Sequence, residues 1–142
     1  MKELQNAKIS WTKFVLLSSF LVLIFSPALL SAEIADDITG TWKAQFDTPV
    51  GIQNYTYVIK QEGTKLTGKI IGIIEEQKTE TDLLEGKFED GVISFVEMMD
   101  IMGEKIRVSY KGKLADGVIN FTRVVGEFGT DTFVAKRAEK EK

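Results

Sequence analysis

The sequence predicts an all-β domain: an eight-stranded antiparallel up-and-down barrel of lipocalin-like build, with a two-sheet β-sandwich as the alternative. Three observations carry this expectation. A ten-residue phrase occurs twice, as Gly86–Phe95 (GKFEDGVISF) and Gly112–Phe121 (GKLADGVINF), and each copy sets an Asp-Gly pair between alternating apolar residues. Such a pair marks a tight hairpin, because the turn needs positive φ, which Gly adopts without steric cost. Apolar residues alternate with period two from Gly40 to the end, and no segment shows helical periodicity over a useful length. Eight strands are enough to close a small barrel and so remove exposed edges.

The first 32 residues read as a secretory signal peptide. Lys2, Lys8 and Lys13 precede the apolar run Phe14–Phe25, Pro27 breaks it, and Ser31-Ala32 offers a cleavage point. The rival reading, an uncleaved membrane anchor, has too short and interrupted an apolar stretch against the ~20 residues a span prefers. Cleavage after Ala32 would leave a secreted or periplasmic product of 110 residues without a stable membrane anchor, carrying 15 basic and 20 acidic residues. The domain is then expected over 33–137, with 138–142 as a charged tail.

Strand by strand, residues 33–39 form a polar lead-in of one helical turn capped by Asp36 or Asp37. Trp42, Ala44 and Phe46 mark the first strand, and Thr48-Pro49-Val50-Gly51 turns it. The second covers Ile52–Gln61, with Tyr55, Tyr57 and Ile59 on one face. The third runs over Leu66–Glu75, with Ile71 and Ile73 making its outer face apolar as well. A polar connection, Glu76–Glu80, leads to a fourth over Thr81–Glu89. The first Asp-Gly turn gives a fifth, Val92–Met99, and a longer loop over Asp100–Glu104 leads to a sixth, Lys105–Leu114. The second Asp-Gly turn gives Val118–Val125, and Gly126–Gly129 closes the last hairpin into Thr130–Arg137. By alternation Gly68, Gly72, Gly86 and Gly112 face inward, where they let a tight barrel bend or leave room beside large rings.

Composition limits the chemistry. There is no Cys and no His, which excludes disulfides, the usual zinc sites and any Ser-His-Asp or Cys-His machinery. No metal or other cofactor is indicated. The acidic balance argues against nucleic acid, whose phosphates demand a basic face. Glu75, Glu76, Asp82 and Glu85 could in principle supply a glycosidase pair, but acidic residues near turns are more simply solvated. The expectation is a non-enzymatic protein.

Candidate ligand-binding residues follow from the alternation. Aligning the repeats puts Glu97 where the second copy has Arg123, and both share a face with inward apolar residues. Two charges aimed into a barrel are costly unless paired or used. They are read either as strand-end residues reaching water or as a polar pair at the floor or mouth of a cavity. Trp42, Tyr55, Tyr57 and Tyr110 add rings with polar tips, suited to sugar faces or apolar ligands. Met98, Met99 and Met102 make a methionine-rich hairpin end, read as a lid or portal edge.

Two resemblances follow from these residues. Gly40-Thr41-Trp42 leading the first strand, with Arg137 on the last, resembles the ends of lipocalins and fatty-acid-binding proteins, which implies a carrier of apolar ligands; no helix pair follows the first strand. Gln61–Gly68, the two Asp-Gly-Val-Ile-x-Phe phrases and Phe121–Arg137 resemble a family of small exported bacterial β domains that occur alone or appended to extracellular glycoside hydrolases and esterases. That likeness implies a glycan-binding or accessory role beside an extracellular hydrolase. Three functions therefore stand as expectations: an exported non-catalytic barrel binding a small molecule or glycan, a lipocalin-like carrier, or a structural module with a filled core.

Overall fold

The structure, a computed structural model, describes residues 36–139. Residues 1–32, expected to be a signal peptide, and the end of the tail lie outside those residues. Nine strands follow in order: β1 (Gly40–Thr48), β2 (Gly51–Glu62), β3 (Lys65–Ile74), β4 (Gln77–Asp82), β5 (Leu84–Glu89), β6 (Val92–Ile101), β7 (Glu104–Ala115), β8 (Val118–Val125) and β9 (Gly129–Arg137). β4 and β5 are one broken strand. β3 pairs β4 along Lys69–Ile74 and β5 at Lys65 and Leu66, and the break falls at buried Leu83. Counted so, eight antiparallel strands close into a barrel, with β1 joined to β9 and β2 to β3.

The turns explain the register. Asp90-Gly91 and Asp116-Gly117 each hold positive φ at both central residues, the twist a two-residue hairpin requires. The repeated phrase thus builds the β5–β6 and β7–β8 hairpins. Three expectations are corrected. The lead-in shows no helix over 36–39; Asp37 instead accepts the Thr39 N–H. The stretch 77–80 is strand, because its backbone completes the β3 ladder although its side chains stay in water. The Asp100–Glu104 loop is a two-residue turn, in which Met102 takes φ 55° and Asp100 accepts the Gly103 N–H.

The interior divides along the barrel axis. Toward the Asp-Gly turns it is apolar: Ile38, Trp42, Ile59, Leu66, Ile93, Ile119 and Ala135 are buried. Trp42 plugs this end. Its indole N–H donates to the Ile38 carbonyl at 2.9 Å, and the Arg137 guanidinium lies over its ring at 4.4 Å while donating to the Asp37 and Thr39 carbonyls. Arg137 on the last strand thus closes over Trp42 on the first.

Close packing gives one of the inward glycines a measurable role. A Cβ on Gly112 would stand 2.6 Å from the Phe121 ring and 2.7 Å from Ile119. Gly112→Ala is expected to destabilise the fold by about 1–3 kcal/mol through overpacking. Denaturant melts of the purified variant check this, and an unchanged midpoint would show a looser interior. At Gly68 and Gly86 the obstacle is backbone: a Cβ would meet the Val58 carbonyl oxygen at 1.8 Å and that of Leu66 at 2.3 Å.

Candidate functional site

The other half of the interior is aromatic and polar. Phe46, Tyr55, Tyr57, Phe95, Tyr110, Phe121 and Phe133 form one connected set of rings, from the Phe46–Phe133 stack at 4.2 Å to the Phe95–Tyr110 stack at 4.6 Å. All three tyrosines of the chain belong to it. The ring packing fills the middle of the barrel.

Into this set point the two charges that the repeat alignment singled out. Glu97 is 2% and Arg123 3% exposed, so neither is a strand-end residue reaching water. They do not pair with each other. Glu97 accepts from the Tyr110 hydroxyl at 2.6 Å and from the Thr81 hydroxyl at 2.5 Å. Arg123 donates through Nε and Nη2 to Asp131 Oδ2 at 3.2 and 2.7 Å, and through Nη2 to Gln53 Oε1 at 3.2 Å. Its guanidinium also lies 4.7 Å from the Phe46 ring and 5.2 Å from that of Tyr55. Gln53, Thr81 and Asp131 were not among the expected site residues. The period-two alternation that puts Tyr55 and Phe133 inside also puts Gln53 and Asp131 there, and that was the available signal.

Three polar atoms in this cluster are buried without a hydrogen-bond partner among the described residues: Tyr55 Oη, Tyr57 Oη and Arg123 Nη1. Burial makes the tyrosines harder to ionise, with the Tyr55 pKa pushed up to about 12 and those of Tyr57 and Tyr110 also well above the ordinary phenol value. The neighbouring Glu97 carboxyl adds to this in all three.

Access to the cluster comes from the side. The β1–β9 ladder holds only Trp42 to Arg137 and Lys43 to Lys136. Beyond that point the two strands have no ladder between them, and side chains close the seam instead. The Phe46–Phe133 stack spans it, and the Asp131–Arg123–Gln53 chain links β9 and β8 to β2 behind it. A cleft of about 770 Å³ lies over the seam, lined by Ala44, Phe46, Tyr55 and Phe133, by the polar residues Gln45, Asn54, Thr56 and Thr132, and by two lysines, Lys43 and Lys136. On the opposite side β4 makes no ladder with β6, and the Thr81–Glu97 bond crosses there. At this end the barrel therefore separates into two four-stranded leaves, β1–β4 and β6–β9.

Tyr55, Tyr57, Tyr110, Glu97 and Arg123 are thus brought together. Trp42 is not: it is 1% exposed, and its donor is engaged in the apolar plug. The methionine lid is corrected too. Met99 packs against the core from its partly buried position, Met98 alternates to the outer face, and Met102 is fully exposed at its turn, where positive φ aims it at solvent. Two of the carboxylates considered for a glycosidase pair are held in surface ion pairs. Asp82 meets Lys69 at 2.7 Å, and Glu85 is clamped by Arg107, whose hydrogen bond lowers its pKa rather than raising it as a general acid requires.

No protein-family model matches the chain, and no curated protein matches it. Among solved structures it is similar to the crystal structure of a point mutant of the fluorescent protein UnaG, at 16% identity and a TM-score of 0.45, over 72% of this chain and 97% of that one.

Proposed function

We propose that this protein is a non-catalytic barrel that binds a small molecule at the seam between β1 and β9. The carrying observation is the convergence of Tyr55 Oη, Tyr57 Oη and Arg123 Nη1, buried and unpartnered, behind a cleft that Tyr55 itself helps to floor. A buried polar group left unpaired costs about 1–3 kcal/mol, and folds that retain several together have a use for them. The rings filling the middle of the barrel favour binding at the seam over a deep dry cavity of the lipocalin-carrier kind. The aromatic residues, the amides and hydroxyls, and the two lysines of the cleft suit sugars as well as apolar rings.

The test is a thermal-shift screen of glycans and small apolar metabolites on wild type and on Tyr55→Phe/Tyr57→Phe. The double variant should fold at least as well, since it deletes two unsatisfied hydroxyls, yet bind any hit roughly tenfold more weakly, equivalent to ~1.4 kcal/mol. Equal affinity in both proteins would remove the cluster from the binding site. Export, and service beside an extracellular hydrolase, extend this proposal. They rest on residues 2–32 and on the likeness to exported β domains, and export predicts a processed product beginning at Glu33 by mass spectrometry.

A further inference from the structure

We propose that the seam cleft is one end of a longer site for an acidic oligosaccharide, whose repeated negative charges lie along the outer faces of β1, β9, β8 and β7. The inference rests on the binding reading above and names its ligand class. Lys43 and Lys136 both line the cleft and stand directly opposite each other on the last rung of the β1–β9 ladder. Like charges so placed repel each other and cost stability. Neither lysine makes an ion pair with another described residue, Asp47 and Glu139 nearby in sequence included. Two unpaired positive charges thus stand at the cleft where the ladder opens.

The register carries this charge away from the cleft. Val134 and Thr132 of β9 face Asn120 and Thr122 of β8, which in turn face Lys113 and Lys111 of β7. Both of these lysines are exposed and make no ion pair among the described residues. The outward positions over Thr41–Gln45, Ser109–Lys113, Val118–Val124 and Thr130–Lys136 hold no Asp or Glu. Lysines therefore share one carboxylate-free wall of a chain in which acidic residues outnumber basic ones, 21 to 18. Neighbouring strands are ~5 Å apart, so Lys113 and Lys136 lie at least ~10 Å from each other, too far for one carboxylate or sulfate to meet both. A ligand that uses the whole wall carries several charges along its length. Between the lysines Thr132, Thr122 and Asn120 offer hydroxyls and an amide, which pair with the neutral hydroxyls of a sugar. The Phe46 and Phe133 rings in the cleft suit a sugar face. The same outward positions carry neither aromatic rings for nucleic-acid bases nor Trp, Phe or Leu for a lipid surface.

Calorimetric titration of an oligogalacturonate, a sulfated oligosaccharide and a neutral oligosaccharide of equal length tests this at neutral pH. At least one acidic probe should bind at least about tenfold more tightly than the neutral one at low salt, and lose that margin as salt rises. Lys43→Gln/Lys136→Gln should fold at least as well as wild type, since it relieves an opposed like-charge pair, yet bind the acidic probe at least about fivefold more weakly. Lys111→Gln/Lys113→Gln should weaken it by a similar factor. Neutral and acidic probes bound equally would overturn the inference and leave the binding reading standing. An effect confined to Lys43 and Lys136 would overturn the extended site, leaving a single anion at the cleft. Equal binding of phosphatidylglycerol vesicles or of a single-stranded oligonucleotide would overturn the sugar assignment. If no oligosaccharide binds while the thermal-shift screen yields another ligand, the inference alone fails; if nothing binds in either experiment, both readings fail.

Discussion

Arg123→Ala should lower the unfolding free energy by about 3–5 kcal/mol, the range for breaking a buried, hydrogen-bonded charge pair by removing one member. The arginine is 3% exposed and holds Asp131, whose side chain is 24% exposed, so the deletion leaves a half-shielded carboxylate and an unpaired Gln53 acceptor. It also opens a void against the Phe46 and Tyr55 rings, which now flank the guanidinium. Urea melts measure the loss, and a change under about 1 kcal/mol, typical of a solvated pair, would mean that Arg123 reaches water in solution. A second replacement separates stability from use. Arg123→Met combined with Asp131→Val removes both charges, and apolar substitution of a buried pair is often neutral or stabilising. The double variant should therefore fold within about 1–2 kcal/mol of wild type while losing ligand binding. If it keeps binding, the charged pair is structural.

The domain should lose stability steeply between about pH 10 and pH 12, by about 3 kcal/mol from Tyr55 alone at ~1.4 kcal/mol for each pH unit. Burial raises the folded-state pKa of Tyr55 to about 12, against ~10 in the unfolded chain. Below the unfolded value both states keep the phenol proton, and the stability is fully present. Above it the unfolded chain releases the proton while the native barrel still holds it, so each rise in pH favours unfolding until the folded value is passed. Tyr57 and Tyr110 shift in the same direction from the same cause and enlarge the loss. Because the chain has no other tyrosine, ultraviolet absorbance of tyrosinate reports this cluster alone. The three should ionise together with loss of the far-ultraviolet β signal. Ionisation near the ordinary phenol value with the fold intact would place the hydroxyls in contact with water.

Much of the fold follows from local chemistry. Asp-Gly between alternating apolar residues specifies a hairpin wherever it occurs, and the two copies delivered β5 to β8 with their register. Period two put Tyr55, Tyr57, Glu97, Tyr110 and Arg123 on one inward face before any neighbour was known. The same rule missed the first four residues of β4, 77–80, whose side chains all lie in water; only their backbone, paired to β3, reveals the strand there. It also misplaced the methionines, since composition reports that a turn is apolar and not which way positive φ turns Met102.

Contacts between residues near in the chain settle the β class, the hairpin order, the inward face and the presence of opposite charges on it, and these are legible in the amino-acid string alone. Which partner each charge found is not. Arg123 reaches Gln53, 70 positions away, and Glu97 meets Thr81 across a gap between strands that no local pattern announces. The seam is of the same kind. A ladder that stops after Lys43 and Lys136, leaving Phe46 to stack on Phe133, is a property of how the two ends of the chain meet once the barrel closes. Closure joins residues far apart in sequence, and the geometry of that junction is set by the packing of the whole ring set.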